Sequence, residues 1–246
     1  MSLPYLGQTR STSQPTHLLH TPDAFVRTRL PGMSGAFAIV HVSAAIGARF
    51  TQYSVEFEPG GSLGPTEWQR FVYVLEGELE VKVCGQTHRL SKDGFAFLPQ
   101  GSPHEVSAVT ASRAAVIEKP YQPVAGFEPP KPFVGEETSI QSTALMGDEA
   151  LQVRALIPAS ESYDFAVNTM TYLPGAALSM VEVHIMEHGL LMLEGGGIYR
   201  LGDSWYPVTV GDFIWMAAYC PQWFGALGKT PAKYLIYKDW NRGPFS

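Results

Sequence analysis

The stretch Leu178-Ser-Met-Val-Glu182-Val-His184-Ile-Met-Glu-His188-Gly-Leu-Leu-Met-Leu-Glu-Gly195 joins a strand-like pattern to three side chains that commonly bind metal ions. Valine and isoleucine alternate with Glu182 and His184, which predicts a β-strand whose two polar side chains leave the same face. His188 follows four residues later, past a short break, and can return to the same point. The alternation and the glycines that follow disfavour a helix carrying a surface His-x3-His pair.

A fourth donor, Gln222, lies downstream between Gly211-Asp-Phe-Ile-Trp and Trp223. Glu182, His184, His188 and Gln222 form a mixed nitrogen and oxygen set, which suits Mn²⁺ or Fe²⁺ better than a structural zinc. Burying ionisable side chains among β-branched neighbours is costly unless a partner satisfies them. We therefore expect a metal site here, and the alternative is a hydrogen-bonded polar cluster in the core.

The composition indicates a globular protein rich in strands and turns. The chain has 246 residues, 45% of them hydrophobic, with 24 glycines and 19 prolines. This length can bury one large core or two ordinary ones. The net charge is −6 and no basic run occurs, so nucleic acid is not expected as a partner.

The cysteine content and the apolar runs bear on the cellular location. Cys84 and Cys220 are the only cysteines, which indicates reduced thiols rather than a disulfide framework. The amino-terminal residues form no apolar signal segment, and no run of 18 apolar residues occurs. We expect a cytoplasmic protein that has no membrane partner and forms a homo-oligomer of open stoichiometry.

Landmarks of the first half recur in the second half of the chain. Leu75-Glu-Gly77 recurs as Leu193-Glu-Gly195, and the strand that follows Gly94 recurs after Gly211. Gly60 and Lys119 likewise recur as Gly175 and Lys238. The offset between the two copies is 115–119 residues at all four landmarks. A near-constant offset indicates an internal duplication of an all-β unit, typical of a sandwich or jelly roll.

The duplication predicts two domains. Five prolines within residues 120–133 exclude a helix or a central strand there, which indicates an inter-domain linker. The predicted division is an amino-terminal leader or strap at 1–35, a first domain at 36–125, the linker at 126–140 and a second domain at 141–246.

Each copy resembles the cupin pattern, in which a Pro-Gly turn precedes two histidines and a glutamate, and a later strand supplies a last histidine. The first copy keeps Gly94, Pro99, Gly101 and His104 of the later motif. Its first motif reads Glu67-Trp-Gln-Arg70 and contains no histidine. The resemblance therefore implies two tandem cupin barrels, a bicupin, whose first domain is structural and binds no metal.

In the second copy, Glu182 stands at the place of the first cupin histidine and His184 keeps the second. His188 stands at the glutamate place and Gln222 replaces the last histidine. This variant resembles the (S)-ureidoglycine aminohydrolase family, most specifically over residues 169–242. The resemblance implies a manganese enzyme of purine (allantoin) catabolism, which releases ammonia from the small molecule (S)-ureidoglycine and yields (S)-ureidoglycolate.

The substrate's carboxylate would need a cation in the second barrel. Lys238 shares a strand face with Tyr234, and together they could hold that carboxylate. The alternative is that Lys238 pairs with Asp239 at a strand end. Tyr199 could line the mouth of the site or be a plain core residue.

Two donors of the metal set have possible second roles. Glu182 either acts only as a metal ligand or also moves a proton between water and the departing amine. Gln222 is neutral and could turn its amide toward substrate. Lys238 and Glu182 are thus the candidate catalytic residues, and Gln222, Tyr234 and Tyr199 join them as candidate substrate contacts.

Two other functions are compatible with a bicupin. One is a different cupin metalloenzyme, such as an Fe²⁺ dioxygenase, although such enzymes usually offer more imidazole ligands. The other is a non-catalytic barrel that binds a small acid or serves as a storage or scaffold protein, which would need no metal ligands.

Overall fold

The fold consists of two β-barrels that follow one another along the chain. The structure is a computed structural model and describes residues 8–243. Its described residues form strands and three short 3-10 turns, at Pro22–Ala24, Ala44–Ile46 and Glu137–Ser139, and none of its helices is long and apolar enough to cross a membrane. The all-β prediction is confirmed.

In chain order the strands are β1 (Thr12–Gln14), β2 (His17–His20), β3 (Ser34–Val42), β4 (Thr51–Ser62), β5 (Gln69–Glu76), β6 (Glu78–Val83), β7 (Gln86–Ser91), β8 (Gly94–Leu98), β9 (His104–Ala108), β10 (Ser112–Lys119), β11 (Phe133–Glu136), β12 (Thr143–Leu145), β13 (Asp148–Ala155), β14 (Phe165–Tyr172), β15 (His188–Glu194), β16 (Gly196–Leu201), β17 (Ser204–Thr209), β18 (Phe213–Met216), β19 (Gln222–Ala226) and β20 (Ala232–Asp239).

The two halves of the chain repeat one strand order. The first barrel is a nine-stranded sheet in the order β11-β8-β5-β10-β4-β9-β6-β7, and β3 also pairs with β4. The second barrel combines an eight-stranded sheet, β1-β2-β18-β15-β20-β14-β13-β12, with the three-stranded sheet β17-β16-β19. The central run β8-β5-β10-β4 corresponds to β18-β15-β20-β14, so the internal duplication predicted from the sequence is confirmed.

Each barrel is extended by strands from the segment that precedes the other one. In the predicted leader, β1 pairs with β2, and β2 pairs with β18 of the second barrel. In the predicted linker, β11 pairs with β8 of the first barrel. The domain boundaries stay a prediction, but the leader and the linker both contribute ordered edge strands.

The barrels pack face to face through a third apolar core between them. Phe71, Phe97 and Ile117 of the first barrel share this core with Phe165 and Leu235 of the second. Strands at the contact are therefore buried on both faces, one toward a barrel interior and one toward the neighbouring barrel. This explains why β5, β8, β15 and β18 have nearly continuous apolar sequences.

Gly189 in β15 lies where the two barrels approach closely. A Cβ atom there would lie 2.4 Å from Gln52 Oε1 and 2.7 Å from the Phe50 ring, both in the first half of the chain. Only glycine fits without displacing these groups, so the sequence next to His188 is also set by barrel packing.

Strand β2 of the leader is expected to stabilise the second barrel, with which it pairs. Leu19 is 1% exposed in the core of the second barrel. We expect Leu19→Ala to lower the free energy of unfolding by about 2–5 kcal/mol, because a buried cavity replaces the side chain. The control Val26→Ala, at a side chain 74% exposed, should change it by less than about 0.5 kcal/mol. Equal urea-unfolding midpoints for the two variants would contradict an anchoring role for β2.

Candidate active site

A cavity of about 190 Å³ lies inside the second barrel. It is smaller than the roughly 300–1,000 Å³ of drug-sized pockets, and so suits a small metabolite. The structure places every candidate site residue named from the sequence on its wall, while their chemical roles stay predictions. These residues are Glu182, His184, His188, Tyr199, Gln222, Tyr234 and Lys238.

The segment carrying Glu182 and His184 is not the continuous strand that alternation predicted. Glu182 forms an isolated bridge with Gln222, through backbone hydrogen bonds of 2.8 and 2.9 Å. Beyond this bridge the chain is irregular, and Val183 and Ile185 are 57% and 51% exposed because no strand or barrel covers them. The two polar side chains still meet, since Glu182 Oε2 lies 3.1 Å from His184 Nε2.

His188 opens β15 and lies opposite Lys238 of β20. The ring is 2% exposed, and its Nδ1 has no hydrogen-bond partner among the described residues. Burial, with Lys238 and His184 close by, lowers the pKa of His188 to about 3. The imidazole is therefore neutral at pH 7, which is the form that binds metal ions.

Lys238 directs its ammonium into the same cavity. Burial lowers its pKa, and the neighbouring Glu182 carboxylate partly opposes that effect. With the Asn168 amide oxygen turned toward it, Lys238 Nζ donates a hydrogen bond of 3.1 Å. Asp239 faces the other side of the sheet and pairs with Arg49, so the described contacts do not support the alternative Lys238–Asp239 pair.

Tyrosines close the inner end of the cavity. Tyr199 is 1% exposed and donates to Gln222 Oε1 at 3.2 Å, so it lies deep in the barrel rather than at the mouth. The hydroxyls of Tyr172 and Tyr234 lie 2.7 Å apart. Burial raises the pKa of all three phenols, so they are neutral hydrogen-bonding groups at pH 7.

Sequence reasoning missed Asn168 and Tyr172. Both lie on β14, and Tyr172 contacts Tyr234 while Asn168 contacts Lys238. The signal was present, because Asn168, Met170 and Tyr172 are spaced by two and so share a strand face. Which face points into the barrel depends on pairing with β20, and the sequence alone does not give that register.

Strand register also corrects one equivalence between the two halves. The near-constant offset between the two halves of the sequence matched Lys238 with Lys119. In the structure Lys238 pairs with His188, whereas Glu118 pairs with Arg70 at the same place in the first barrel. The counterpart of Lys238 is therefore Glu118, and the earlier match was wrong by one residue, which reverses the face to which the side chain points.

The equivalent centre of the first barrel contains an internal ion pair. Arg70 is 3% exposed and donates from Nε to Glu118 Oε1 at 2.7 Å and from Nη2 to the Gly64 carbonyl at 2.9 Å. Its Nη1 lies 3.2 Å from His104 Nε2, and the Tyr53 hydroxyl donates to Glu118 at 2.9 Å. The guanidinium supplies the positive charge here, which supports the prediction of a structural, metal-free barrel.

The donor chemistry of the second barrel fits a divalent metal ion. Two imidazoles, a carboxylate and an amide converge on one cavity, and a buried nitrogen of His188 has no hydrogen-bond partner among the described residues. Within residues 8–243, no three His, Cys, Asp or Glu side chains yet surround a common point closely enough to hold an ion. Glu182 Oε2 lies 3.1 Å from His184 Nε2, so these two side chains would have to exchange their mutual hydrogen bond for bonds to the ion.

Comparison with known proteins identifies a family model described as a cupin domain, which matches residues 53–118. The cupin fold is consistent with metal binding. The chain is 39% identical over 241 residues to (S)-ureidoglycine aminohydrolase of Arabidopsis thaliana, covering 97% of this chain and 80% of that protein. It is 30% identical over 231 residues to (S)-ureidoglycine aminohydrolase of Escherichia coli K12, covering 91% and 88%. The crystal structure of the E. coli protein Ylba superposes with a TM-score of 0.86 at 27% identity, covering 98% of both chains.

The ion pair of the first barrel predicts an asymmetric response to mutation. Arg70→Met leaves the Glu118 carboxylate, whose side chain is only 13% exposed, without its partner, which should cost about 3 kcal/mol of unfolding free energy. The double variant Arg70→Met/Glu118→Leu removes both charges and should recover most of that loss. Urea unfolding measures both, and a double variant no more stable than the single one would contradict the ion-pair account.

Proposed function

Because the chain belongs to the (S)-ureidoglycine aminohydrolase family of bicupins and is an enzyme of that type, we propose that its second barrel carries the active site. The proposed reaction releases ammonia from (S)-ureidoglycine, gives (S)-ureidoglycolate and serves purine (allantoin) catabolism. The observation that carries the proposal is a single small cavity shared by Lys238, Glu182 and the three other metal-donor side chains.

The proposed cofactor is Mn²⁺, held by Glu182, His184, His188 and Gln222. When bound, the ion supplies Lewis acidity and a template that orients the substrate's amine and carboxylate. The neutral state of His188 and the uncharged amide of Gln222 support this choice, because together with one carboxylate they offer oxygen and nitrogen donors without excess negative charge.

Lys238 is proposed to bind the substrate carboxylate. Its ammonium is removed from bulk water and hydrogen-bonded to the neutral Asn168, so an anionic ligand would satisfy it better than the protein alone. Tyr234 lines the same cavity and offers a second hydrogen-bonding group. This contact would orient the reacting carbon toward Glu182 and the metal donors.

In the proposed reaction, water adds to the carbon that bears the amine, and the bond from that carbon to the amine nitrogen breaks. Water loses a proton as its oxygen attacks, and the leaving amine gains one to depart as ammonia. Glu182 is the candidate to transfer that proton, a role worth roughly a hundred- to ten-thousandfold in rate. Its carboxylate lies 3.1 Å from His184 Nε2, among the proposed metal donors.

We further propose a homo-oligomeric, cytoplasmic protein. Exposed apolar side chains beside the cavity support an assembled form, since Met180 is 59% and Val183 57% exposed. Free thiols at Cys84 and Cys220 support a reducing compartment.

Metal analysis tests the location of the cofactor. We expect about one manganese per wild-type chain and almost none in a His184→Ala/His188→Ala double variant, because two of four donors are removed. Ammonia release from ureidoglycine should fall to background in parallel. The control His104→Ala should keep its metal and a turnover number within a few-fold of wild type. Full metal retention in the double variant would place the ion elsewhere.

Lys238→Met tests the carboxylate anchor. It keeps much of the side-chain volume and removes a charged hydrogen bond, worth roughly 1.5–3 kcal/mol. At about tenfold per 1.4 kcal/mol, kcat/KM should fall roughly ten- to a few-hundredfold, with manganese content unchanged. The matched control Lys82→Met, at a side chain 52% exposed, should leave kinetics unaltered. Wild-type kinetics in a metallated Lys238→Met protein would reject the anchor.

A further inference from the structure

Two ionic contacts connect the two halves of the chain. On one side, Arg49 of the first half contacts Glu187 and Asp239 of the second barrel. Its backbone N donates to Glu187 Oε1 at 2.9 Å, its Nε lies 3.5 Å from the same oxygen, and its guanidinium is paired with Asp239. Glu187 and Asp239 are each 3% exposed, so this contact is buried on the carboxylate side.

The second contact has the same geometry with the charges exchanged. Here Asp164 of the second half accepts from Gln69 Nε2 at 2.6 Å and from Lys119 Nζ at 2.8 Å. Gln69 and Lys119 occupy the strand positions of the first barrel that correspond to Glu187 and Asp239. In each contact, two side chains from neighbouring strand ends of one barrel bind a single side chain from the other half of the chain. These are Glu187 and Asp239 with Arg49, and Gln69 and Lys119 with Asp164.

The Arg49 contact adjoins the candidate active site directly, whereas Asp164 reaches it only through Lys119, whose Nζ lies 3.8 Å from Asp239 Oδ1. Glu187 immediately precedes His188, and Asp239 immediately follows Lys238. His188 and Lys238 are register partners on β15 and β20, and the Asp239 backbone N donates to the Glu187 carbonyl at 3.3 Å. Successive side chains leave opposite faces of a strand. At the same two strand ends, His188 and Lys238 therefore point into the barrel, while Glu187 and Asp239 point toward Arg49.

We propose that Arg49 is a positioning residue for the reaction, acting through Glu187 and Asp239 to hold His188 and Lys238 in place. The proposal rests on the proposed function, which gives His188 and Lys238 their roles. It also gives the first half of the chain a part in the reaction, because that half supplies the cation that fixes the site from behind.

Two carboxylates, those of Glu187 and Asp239, lie close together on adjacent strand ends. Glu187 and Asp239 repel one another and are removed from water, so they need cations to stay side by side. Both cations come from the first half, since Lys119 Nζ also lies 3.8 Å from Asp239 Oδ1. Tyr237 and Trp215 add neutral hydrogen bonds to Asp239 and Glu187. Without Arg49 the two strand ends should separate.

Separation of the strand ends would displace both inward side chains at once. A misplacement of about 1 Å at a catalytic site can cost on the order of a hundredfold in rate. Loss of a group that orients a metal ligand typically costs about ten- to a hundredfold in metal affinity. Arg49→Met should therefore lower both kcat and the affinity for manganese, although Arg49 contacts neither substrate nor metal.

The matched control is Asp164→Asn, which weakens the equivalent contact beside Arg70 and Glu118 of the first barrel. Both variants should lower the melting temperature. For folded chains saturated with manganese, we expect kcat to fall about ten- to a hundredfold in Arg49→Met and less than threefold in Asp164→Asn. Arg49→Lys keeps the charge but not the forked geometry and should lie between Arg49→Met and wild type.

Two readouts do not depend on turnover. The manganese dissociation constant, measured by the electron paramagnetic resonance signal of the free ion, should rise about tenfold or more in Arg49→Met only. Amide hydrogen exchange should accelerate at the start of β15 and the end of β20 in Arg49→Met. In Asp164→Asn it should accelerate at the start of β5 and the end of β10.

The outcomes separate this proposal from the proposed function. If wild type releases no ammonia from ureidoglycine, the function is wrong, and metal affinity with hydrogen exchange still decides the role of Arg49. Equal kcat in Arg49→Met and wild type, or an equal loss in Asp164→Asn, would overturn the positioning role. If Arg49→Met does not fold, a wild-type kcat and manganese affinity in Arg49→Lys would also overturn it.

Discussion

The antiparallel pairing of β15 with β20 is the constraint on which both the site and the barrel contact depend. In its register His188 lies opposite Lys238, and both face the cavity of the second barrel. The next pair outward, Glu187 and Asp239, faces the first half of the chain. A slip of one residue would exchange these faces, placing carboxylates in the cavity and the ammonium in the inter-barrel contact.

The two barrels share this framework and differ in how its central charges are satisfied. In the first barrel Arg70 and Glu118 form an ion pair, so the charges at that centre are satisfied within the protein. In the second barrel a neutral imidazole and an ammonium occupy the same register positions, and the carboxylate of Glu182 comes from an irregular segment. Buried groups left open to an added partner are typical of a functional site.

The sequence predicted what depends on local pattern. Alternating polar and apolar residues predicted the strands, and metal-ligand spacing placed Glu182, His184 and His188 on one cavity. Contacts between distant strands decided the features that the local pattern did not predict. The segment around Val183 lost its expected strand because it bridges only at Glu182, and the partner of Lys238 proved to be Asn168 on another strand. The ionic contacts of Arg49 with residues about 140 and 190 positions away have no local signature in the sequence.

The central claim is that the second barrel, and not the first, binds the metal ion that the reaction requires. X-ray diffraction from manganese-loaded crystals, recorded on both sides of the manganese absorption edge, locates the ion directly. We expect one anomalous peak per chain, within bonding distance of His184, His188, Glu182 and Gln222, and none beside Arg70 and His104. A peak in the first barrel, or no peak in crystals of protein that releases ammonia from ureidoglycine, would contradict it.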